Sequence, residues 1–282
     1  MKFEKIGILG TGQMGAGIAQ VAAAAGCTVL MADISLEISE KAKAGIAKRL
    51  EKAVGRGKME QAAADGILTN LQPVQGVADF KDVDIAIEAA TEAIDLKLKL
   101  FKSLDDICKP EALLASNTSS ISITLMAAAT SRPEKVVGMH FMNPVPVMKL
   151  VEMIKGLQTS DEAFEAVTKL ARDWGKTTTV SADYPGFMVN RLLIPYLNEA
   201  CSAYMEGVGT IKDIDTSIKL GLNNPMGPFQ LADLIGLDTV LAIARVLHDG
   251  FSDPKYRPSA LLVKYVEAGW LGRKTGRGFY TY

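Results

Sequence analysis

The stretch Ile6-Gly-Ile-Leu9-Gly10-Thr-Gly12-Gln-Met-Gly15 sets the fold: a short apolar run, three glycines spaced Gly-x-Gly-x-x-Gly, and then an alanine-rich segment that reads as a helix. Strand, glycine turn and helix in that order form a dinucleotide-binding fingerprint, whereas a glycine triplet without that context carries little. The competing reading is a glycine-rich turn of some other α/β protein. Gly10 allows the tight turn, Gly12 lets the backbone approach a pyrophosphate, and Gly15 lets the helix pack closely on the strand. The pyrophosphate then meets free N–H groups at the positive end of a helix. Gln13 and Met14 lie inside the same turn and are assigned to the same site. The next apolar run, Thr28 to Ala32, is followed by Asp33, 23 positions after Gly10. A carboxylate there accepts hydrogen bonds from the adenosine ribose and repels a 2′-phosphate, which favours NAD over NADP.

Working outward, a charged amphipathic helix is expected over Ser35 to Lys58, with a basic face that includes Lys52 and Arg56. Short apolar runs recur at Ile67–Leu71, Val83–Glu88, Ala112–Ala115 and Val136–His140, with helical patterns filling several of the gaps. Leu150–Ile154 and Thr177–Val180 read as added strands joined by a helix over Asp161–Trp174. This alternation predicts an α/β fold, a Rossmann-type doubly wound and mainly parallel sheet. The turn-rich segment Ser181-Ala-Asp-Tyr-Pro185-Gly186 marks a boundary, after which strand alternation is lost until the tail Gly278-Phe-Tyr-Thr-Tyr. The expected organisation is an NAD-binding domain over residues 1–183 and an all-helical domain over 184–282, whose part in substrate binding and dimerisation is implied by the resemblance given below.

The 282 residues carry a net charge of only −1, which argues against a nucleic-acid footprint or a membrane-surface face. No apolar run approaches a membrane span, and Met1 to Leu9 is too short for a signal peptide, so a cytoplasmic protein is expected. Cys27, Cys108 and Cys201 are odd in number and widely spaced, and only two histidines accompany them, so neither structural disulfides nor a metal site is expected.

A dinucleotide site does not by itself define a reaction; a proton donor or acceptor is needed. His140 follows the apolar strand Val136-Val-Gly-Met139 and precedes Phe141-Met-Asn143-Pro144, a turn at the carboxyl end of a strand, where α/β sites form. Histidine titrates at about 6.5, which suits proton exchange near neutrality. A histidine that merely ends a strand, satisfied by backbone groups, is the alternative. Glu152, inside Lys149-Leu-Val-Glu-Met-Ile154, needs a partner if it points inward, and His140 is a candidate; on an edge strand it would instead face outward. Ser116-Asn-Thr-Ser119-Ser120 places hydroxyl and amide groups at another strand end, where Ser120 or a neighbour is also suited to cap a helix starting near Ile121. His248, in a polar turn, reads as a surface residue.

Taken together, Gly10-Thr-Gly-Gln-Met-Gly15, Ala115-Ser-Asn-Thr-Ser119-Ser, Gly138-Met-His140-Phe-Met-Asn143-Pro-Val-Pro, Lys149-Leu-Val-Glu152, Pro185-Gly-Phe-Met-Val-Asn190-Arg, Asn224-Pro-Met-Gly-Pro and Gly272-Arg-Lys274-Thr-Gly-Arg-Gly-Phe-Tyr resemble the 3-hydroxyacyl-CoA dehydrogenases over essentially the whole length, most closely their bacterial 3-hydroxybutyryl-CoA branch. The resemblance implies a His140–Glu152 catalytic dyad, with Ser119 and Asn190 holding the reacting region of a thioester. It implies an NAD site lined by Glu92, Lys97, Asn117, Asn143 and Lys274 as well as the glycine turn. It places Lys52 and Arg56 against the phosphates of coenzyme A, although a solvated helix face has the same pattern. Ala90-Thr91 departs from some relatives without touching a catalytic position. The expected activity is reversible hydride transfer between NADH and C3 of acetoacetyl-CoA or 3-hydroxybutyryl-CoA, by a homodimer joined through its C-terminal domain. Two alternatives are another β-hydroxyacid dehydrogenase acting on a free acid, and a non-catalytic NAD-binding structural protein of the lens-crystallin kind; the intact set His140, Glu152, Ser119 and Asn190 argues against the second.

Overall fold

The apolar runs form eight strands of a single sheet. In chain order these are β1 (Lys5–Leu9), β2 (Thr28–Ala32), β3 (Leu71–Pro73), β4 (Ile85–Glu88), β5 (Leu113–Ser116), β6 (Val136–Phe141), β7 (Leu150–Lys155) and β8 (Thr177–Ala182). Across the sheet the order is β3-β2-β1-β4-β5-β6-β7-β8. Every neighbouring pair is parallel except β6 and β7, which run antiparallel. The helices are α1 (Gln13–Ala24), α2 (Leu36–Gly55), α3 (Gln61–Asn70), α4 (Ile94–Ile107), α5 (Ile123–Ala127) and α6 (Asp161–Asp173). Helices on both faces explain why β4, β5 and β6 are buried at every position. The outermost strand, β8, is largely open to solvent.

The computed structural model describes residues 2–282. It divides into two compact units, one ending at Tyr184 and the other spanning Pro185–Tyr282. In the first, the chain lays down β1, β2 and β3 in one direction and then returns to place β4 on the other side of β1. That reversal opens a crevice at the carboxyl ends of β1 and β4, where doubly wound sheets bind ligands. The core here is built from Ile6, Ile8, Ile18, Val29, Met31, Ile87 and Phe141, all 0–2 % exposed.

Two local expectations are corrected. Ile67 to Asn70 does not form a strand: Ala64 and Ile67, three apart, bury one face of α3 on the core, and only Leu71–Pro73 pairs with β2. The helix after β5 starts at Ile123, two residues later than expected. Its cap is Ser122, not Ser120: Ser122 Oγ accepts from Leu125 N, and the Asp183 carboxylate accepts from Ile123 N and Thr124 N.

The second unit holds α7 (Val189–Met205), α8 (Ile211–Gly221), α9 (Pro228–Ile235), α10 (Leu237–Phe251) and α11 (Ala260–Glu267), packed around Ile194, Leu197, Phe229, Leu241, Leu247 and Leu262. It is helical but for its tail, where isolated bridges join Gly272 to Arg277 and Arg277 to Thr281. Buried Asp233 fixes that tail, accepting from Phe279 N at 2.9 Å, Tyr280 N at 2.9 Å and the Tyr282 hydroxyl at 3.0 Å. Burial and the adjacent Asp215 push the Tyr280 phenol well above its usual range, so its hydroxyl stays a donor to that carboxylate.

Candidate active site

β6 and β7 pair with His140 directly opposite Glu152, so the two side chains stand on the same face of the sheet. His140 Nδ1 lies 2.8 Å from Glu152 Oε2. A carboxylate only accepts, so Nδ1 carries the proton and Nε2 is left as the atom that exchanges one. The alternative of an outward Glu152 on an edge strand is closed: β8 pairs with β7 on its far side, and Glu152 is 0 % exposed. A buried carboxylate is tolerated when it is paired and hydrogen-bonded, and the imidazole meets that need. His248 is a partly exposed residue whose Nδ1 lies 3.0 Å from Asp249.

The glycine turn lies at the carboxyl end of β1. Gly10 has φ +90, and a Cβ there would stand 2.8 Å from the backbone of Ala89 and Ala90, so the loop after β4 closes directly on the turn. A Cβ on Gly12 would meet nothing within 4 Å, leaving the open space a pyrophosphate needs. Gly12 is also the N-cap of α1 and, among the described residues, receives no side-chain cap, so the first N–H groups of the helix stay available. These features fit a dinucleotide. Met14 is half-buried against the hydrophobic core. Asp33 ends β2 in a fixed orientation: Oδ2 accepts from Thr11 N at 2.5 Å and Thr11 Oγ1 at 2.8 Å, and Oδ1 accepts from Ile34 N at 2.8 Å. Thr11, unremarked in the sequence because it fills a variable place of the motif, is the residue that aims this carboxylate.

Asn143 Oδ1 accepts from Gln13 Nε2 at 2.9 Å, joining the loop after β6 to the glycine turn. Asn117 Oδ1 accepts from Phe141 N at 3.0 Å. Glu92 accepts from Thr118 Oγ1 at 2.9 Å, Ser119 N at 2.7 Å and Ser119 Oγ at 3.2 Å, so the loops after β4 and β5 meet through it. Lys97 is turned inward: it is 1 % exposed, and its Nζ is 2.6 Å from Glu88 and 3.8 Å from Glu92. The carboxyl ends of β1, β2, β4, β5 and β6 thus carry Gly12, Asp33, Glu92, Asn117, Ser119, His140 and Asn143 within one unit.

The remaining assigned residues belong to other segments of the chain. Asn190 is the second residue of α7, and Lys274 Nζ donates to Asp238 Oδ2 at 2.6 Å; both belong to the second unit. Lys52 is an exposed residue of the last turn of α2, which ends at Gly55, so Arg56 is the capping residue beyond it. Arg49, earlier on the same helix, went unassigned. It lines a cavity of about 470 Å³ together with Thr11, Gly12, Gln13 and Asn143, and its Nε donates to Gln20 at 3.3 Å. Positions 49 and 52 lie three apart on one face of α2, a signal legible in the sequence, whereas Arg56 stands beyond the helix end.

Residues 5–184 match the family of the 3-hydroxyacyl-CoA dehydrogenase NAD-binding domain, and residues 186–282 match the C-terminal domain of the same enzymes. The chain belongs to the 3-hydroxyacyl-CoA dehydrogenase family. It is 50 % identical to a 3-hydroxybutyryl-CoA dehydrogenase of Bradyrhizobium diazoefficiens over 99 % of this chain and 95 % of that one. It is likewise 50 % identical to a probable 3-hydroxybutyryl-CoA dehydrogenase of Bacillus subtilis, over 100 % of this chain and 98 % of the relative. The crystal structure of an (S)-3-hydroxybutyryl-CoA dehydrogenase from Ralstonia eutropha superposes with a TM-score of 0.97 at 48 % identity, covering 100 % of this chain and 99 % of the other. The family assignment makes the chain an NAD-dependent oxidoreductase, in agreement with the open glycine turn. No helix among the described residues is long and apolar enough to cross a membrane.

Proposed function

We propose that the protein interconverts acetoacetyl-CoA and (S)-3-hydroxybutyryl-CoA, with NAD as the redox partner. The observation that carries the reading is the buried His140–Glu152 pair at the carboxyl end of β6, in the same unit as the open glycine turn. NAD, when bound, supplies and receives the hydride. The chain's own residues handle the proton and the alignment. In the reductive direction Nε2 of protonated His140 gives its proton to the oxygen forming on C3, and in the oxidative direction neutral Nε2 takes it back. Glu152 holds the ring through Nδ1 and supports the imidazolium with its charge. Ser119 and Asn190 are assigned to the reacting oxygen or the thioester carbonyl, where donors aimed at developing charge contribute most. Thr11 and Asp33 set the preference for NAD, and Gln13, Met14, Glu92, Asn117, Asn143 and Lys274 are assigned to the rest of the cofactor. Arg49, Lys52 and Arg56 are assigned to the coenzyme A phosphates. Lys97 supports this site from below through Glu88 and Glu92.

We place the enzyme in the cytoplasm as a homodimer joined through Pro185–Tyr282. The reading is supported by three unpaired buried cysteines and by the apolar side chains Leu192, Val208, Leu220 and Leu222, each 64–80 % exposed in the single chain. The test is oxidation of NADH, followed by absorbance, with acetoacetyl-CoA against free acetoacetate. Turnover of the thioester, abolished in His140→Ala with NADH binding retained, is the expected result. Equal use of the free acid would favour the other β-hydroxyacid reading, and NADH binding without any turnover would favour a structural role.

A further inference from the structure

Glu88, the last residue of β4, is 0 % exposed and is not explained by the dyad or by the glycine turn. Its carboxylate meets three donors, each at 2.6 Å: Ala90 N and Lys97 Nζ on Oε1, and Ser116 Oγ on Oε2. Ser116 Oγ in turn accepts from Thr118 N at 3.1 Å. Lys97 reaches onward to within 3.8 Å of Glu92, the carboxylate that accepts from both the backbone N–H and the hydroxyl of Ser119. One buried anion therefore ties the loop after β4, the first turn of α4 and the loop after β5 into a single unit.

A buried ion pair is a poor source of net stability, because desolvation offsets most of the attraction and apolar replacements are often tolerated. The partners of Glu88 indicate what it does instead. Its donors stand on, or lead directly to, the segments that present Glu92 and Ser119. We infer that Glu88 is a positioning residue of the reaction, acting through Lys97, Ser116 and Glu92 to hold Ser119 by its backbone N–H, so that its hydroxyl turns from Glu92 to the substrate oxygen when substrate binds. The inference rests on the role given to Ser119 in the proposed reaction. With an amide at position 88, the Lys97 ammonium loses its buried counter-charge, and its nearest remaining carboxylate is Glu92. Lys97 then competes with Thr118 and Ser119 for the same oxygens, and the serine loses its anchor.

The experiment measures kcat at saturating NADH and acetoacetyl-CoA, per NADH-binding site, for Glu88→Gln, Ser116→Ala, Ser119→Ala and the two double variants that include Ser119→Ala. Small misplacements at a reacting centre cost one to two orders of magnitude, so Glu88→Gln and Ser116→Ala are each expected to lower kcat roughly tenfold. In the Ser119→Ala background each should cost less than about twofold, because residues that act through one another are not additive. A merely structural role would lower the unfolding temperature and the number of active sites, leave kcat per site unmoved, and multiply with Ser119→Ala. Unchanged kcat in the single variants, multiplicative losses in the doubles, or a Ser119→Ala enzyme as fast as wild type would each overturn the inference. If Glu88→Gln does not fold, Ser116→Ala, which removes one hydroxyl from the same network, decides alone. A wild type that binds NADH but does not turn over acetoacetyl-CoA overturns the proposed reaction, and this inference with it.

Discussion

Replacing Glu152 by glutamine keeps the outline of the side chain and removes its charge. In the native protein the carboxylate is 0 % exposed and accepts from His140 Nδ1 at 2.8 Å. A hydrogen bond to a charged group contributes about 1.5–3 kcal/mol, against about 1 kcal/mol for a neutral one. The amide oxygen of glutamine can still take the Nδ1 proton, so geometry is partly preserved, but the imidazolium that forms when His140 takes the proton loses its counter-charge. The difference between the two, about 0.5–2 kcal/mol, felt fully in the transition state for oxidation, should lower kcat by about 2- to 30-fold, at 1.4 kcal/mol per factor of ten. The amide also brings two donors into a site shaped for an acceptor, which costs about 1–3 kcal/mol of stability if they go unsatisfied. Three measurements separate these effects: oxidation of 3-hydroxybutyryl-CoA at saturating NAD, NADH affinity by fluorescence, and urea unfolding. Because Glu152 acts through His140, the double variant with His140→Ala should lose no more kcat than His140→Ala alone. An E152Q enzyme that binds NADH normally and turns over as fast as wild type would refute the reasoning, as would losses that multiply in the double variant.

Asp33→Ala should weaken NAD binding and narrow the preference over NADP, and Thr11→Val should do the same more mildly by freeing the carboxylate from its Oγ1 donor; NAD and NADP efficiencies measured side by side check both. Removing the charges of Arg49, Lys52 and Arg56 should raise KM for acetoacetyl-CoA at low salt by roughly tenfold or more and spare a truncated thioester lacking the nucleotide; equal losses on both substrates would leave an ordinary solvated helix face. In Asp105, burial raises the carboxyl's pKa, but the Ser131 N–H and the Arg132 guanidinium outweigh it and hold the group below its ordinary value. A depressed carboxylate contributes stability that is fully present above the unfolded value near 3.9 and is lost as pH falls through the folded one. Asp105→Asn should therefore cost about 1.5–3 kcal/mol at neutral pH, because the Arg132 guanidinium loses its counter-charge while keeping its bonds to the carbonyls of Lys109 and Asp105, and its gap from wild type in urea unfolding should close below about pH 4.

The first strand, the glycine turn, Asp33 and the alternation behind them were legible because each depends on near neighbours in the chain. Only glycine tolerates φ +90 at position 10, and only a residue without Cβ leaves the space in front of Gly12 open. The long helix α2 was equally plain as an amphipathic pattern, although it ends at Gly55 and not at Lys58 as expected, which leaves Arg56 outside it. The reading failed where an apolar run was short. Ile67 to Leu71 fits either a strand or one face of a helix, and the packing of Ala64 and Ile67 on the core chose the helix as far as Asn70.

The sequence by itself determined the residue types of the site and, through its resemblance, named most of them: His140, Glu152, Ser119, Asn143, Asp33 and the three glycines. Tertiary structure decided how they are oriented and buried. That β7 is not an edge strand depends on β8 pairing with it, Glu152 opposite Thr179, which strand periodicity does not encode. That Lys97 points inward to Glu88, that Thr11 aims Asp33, and that Glu92 holds Ser119 depend on strand ends brought together by the order β2-β1-β4-β5. A pattern along the chain records which residues can do chemistry, but direction and burial belong to the sheet, because they are set by neighbours that are distant in sequence and adjacent only after folding.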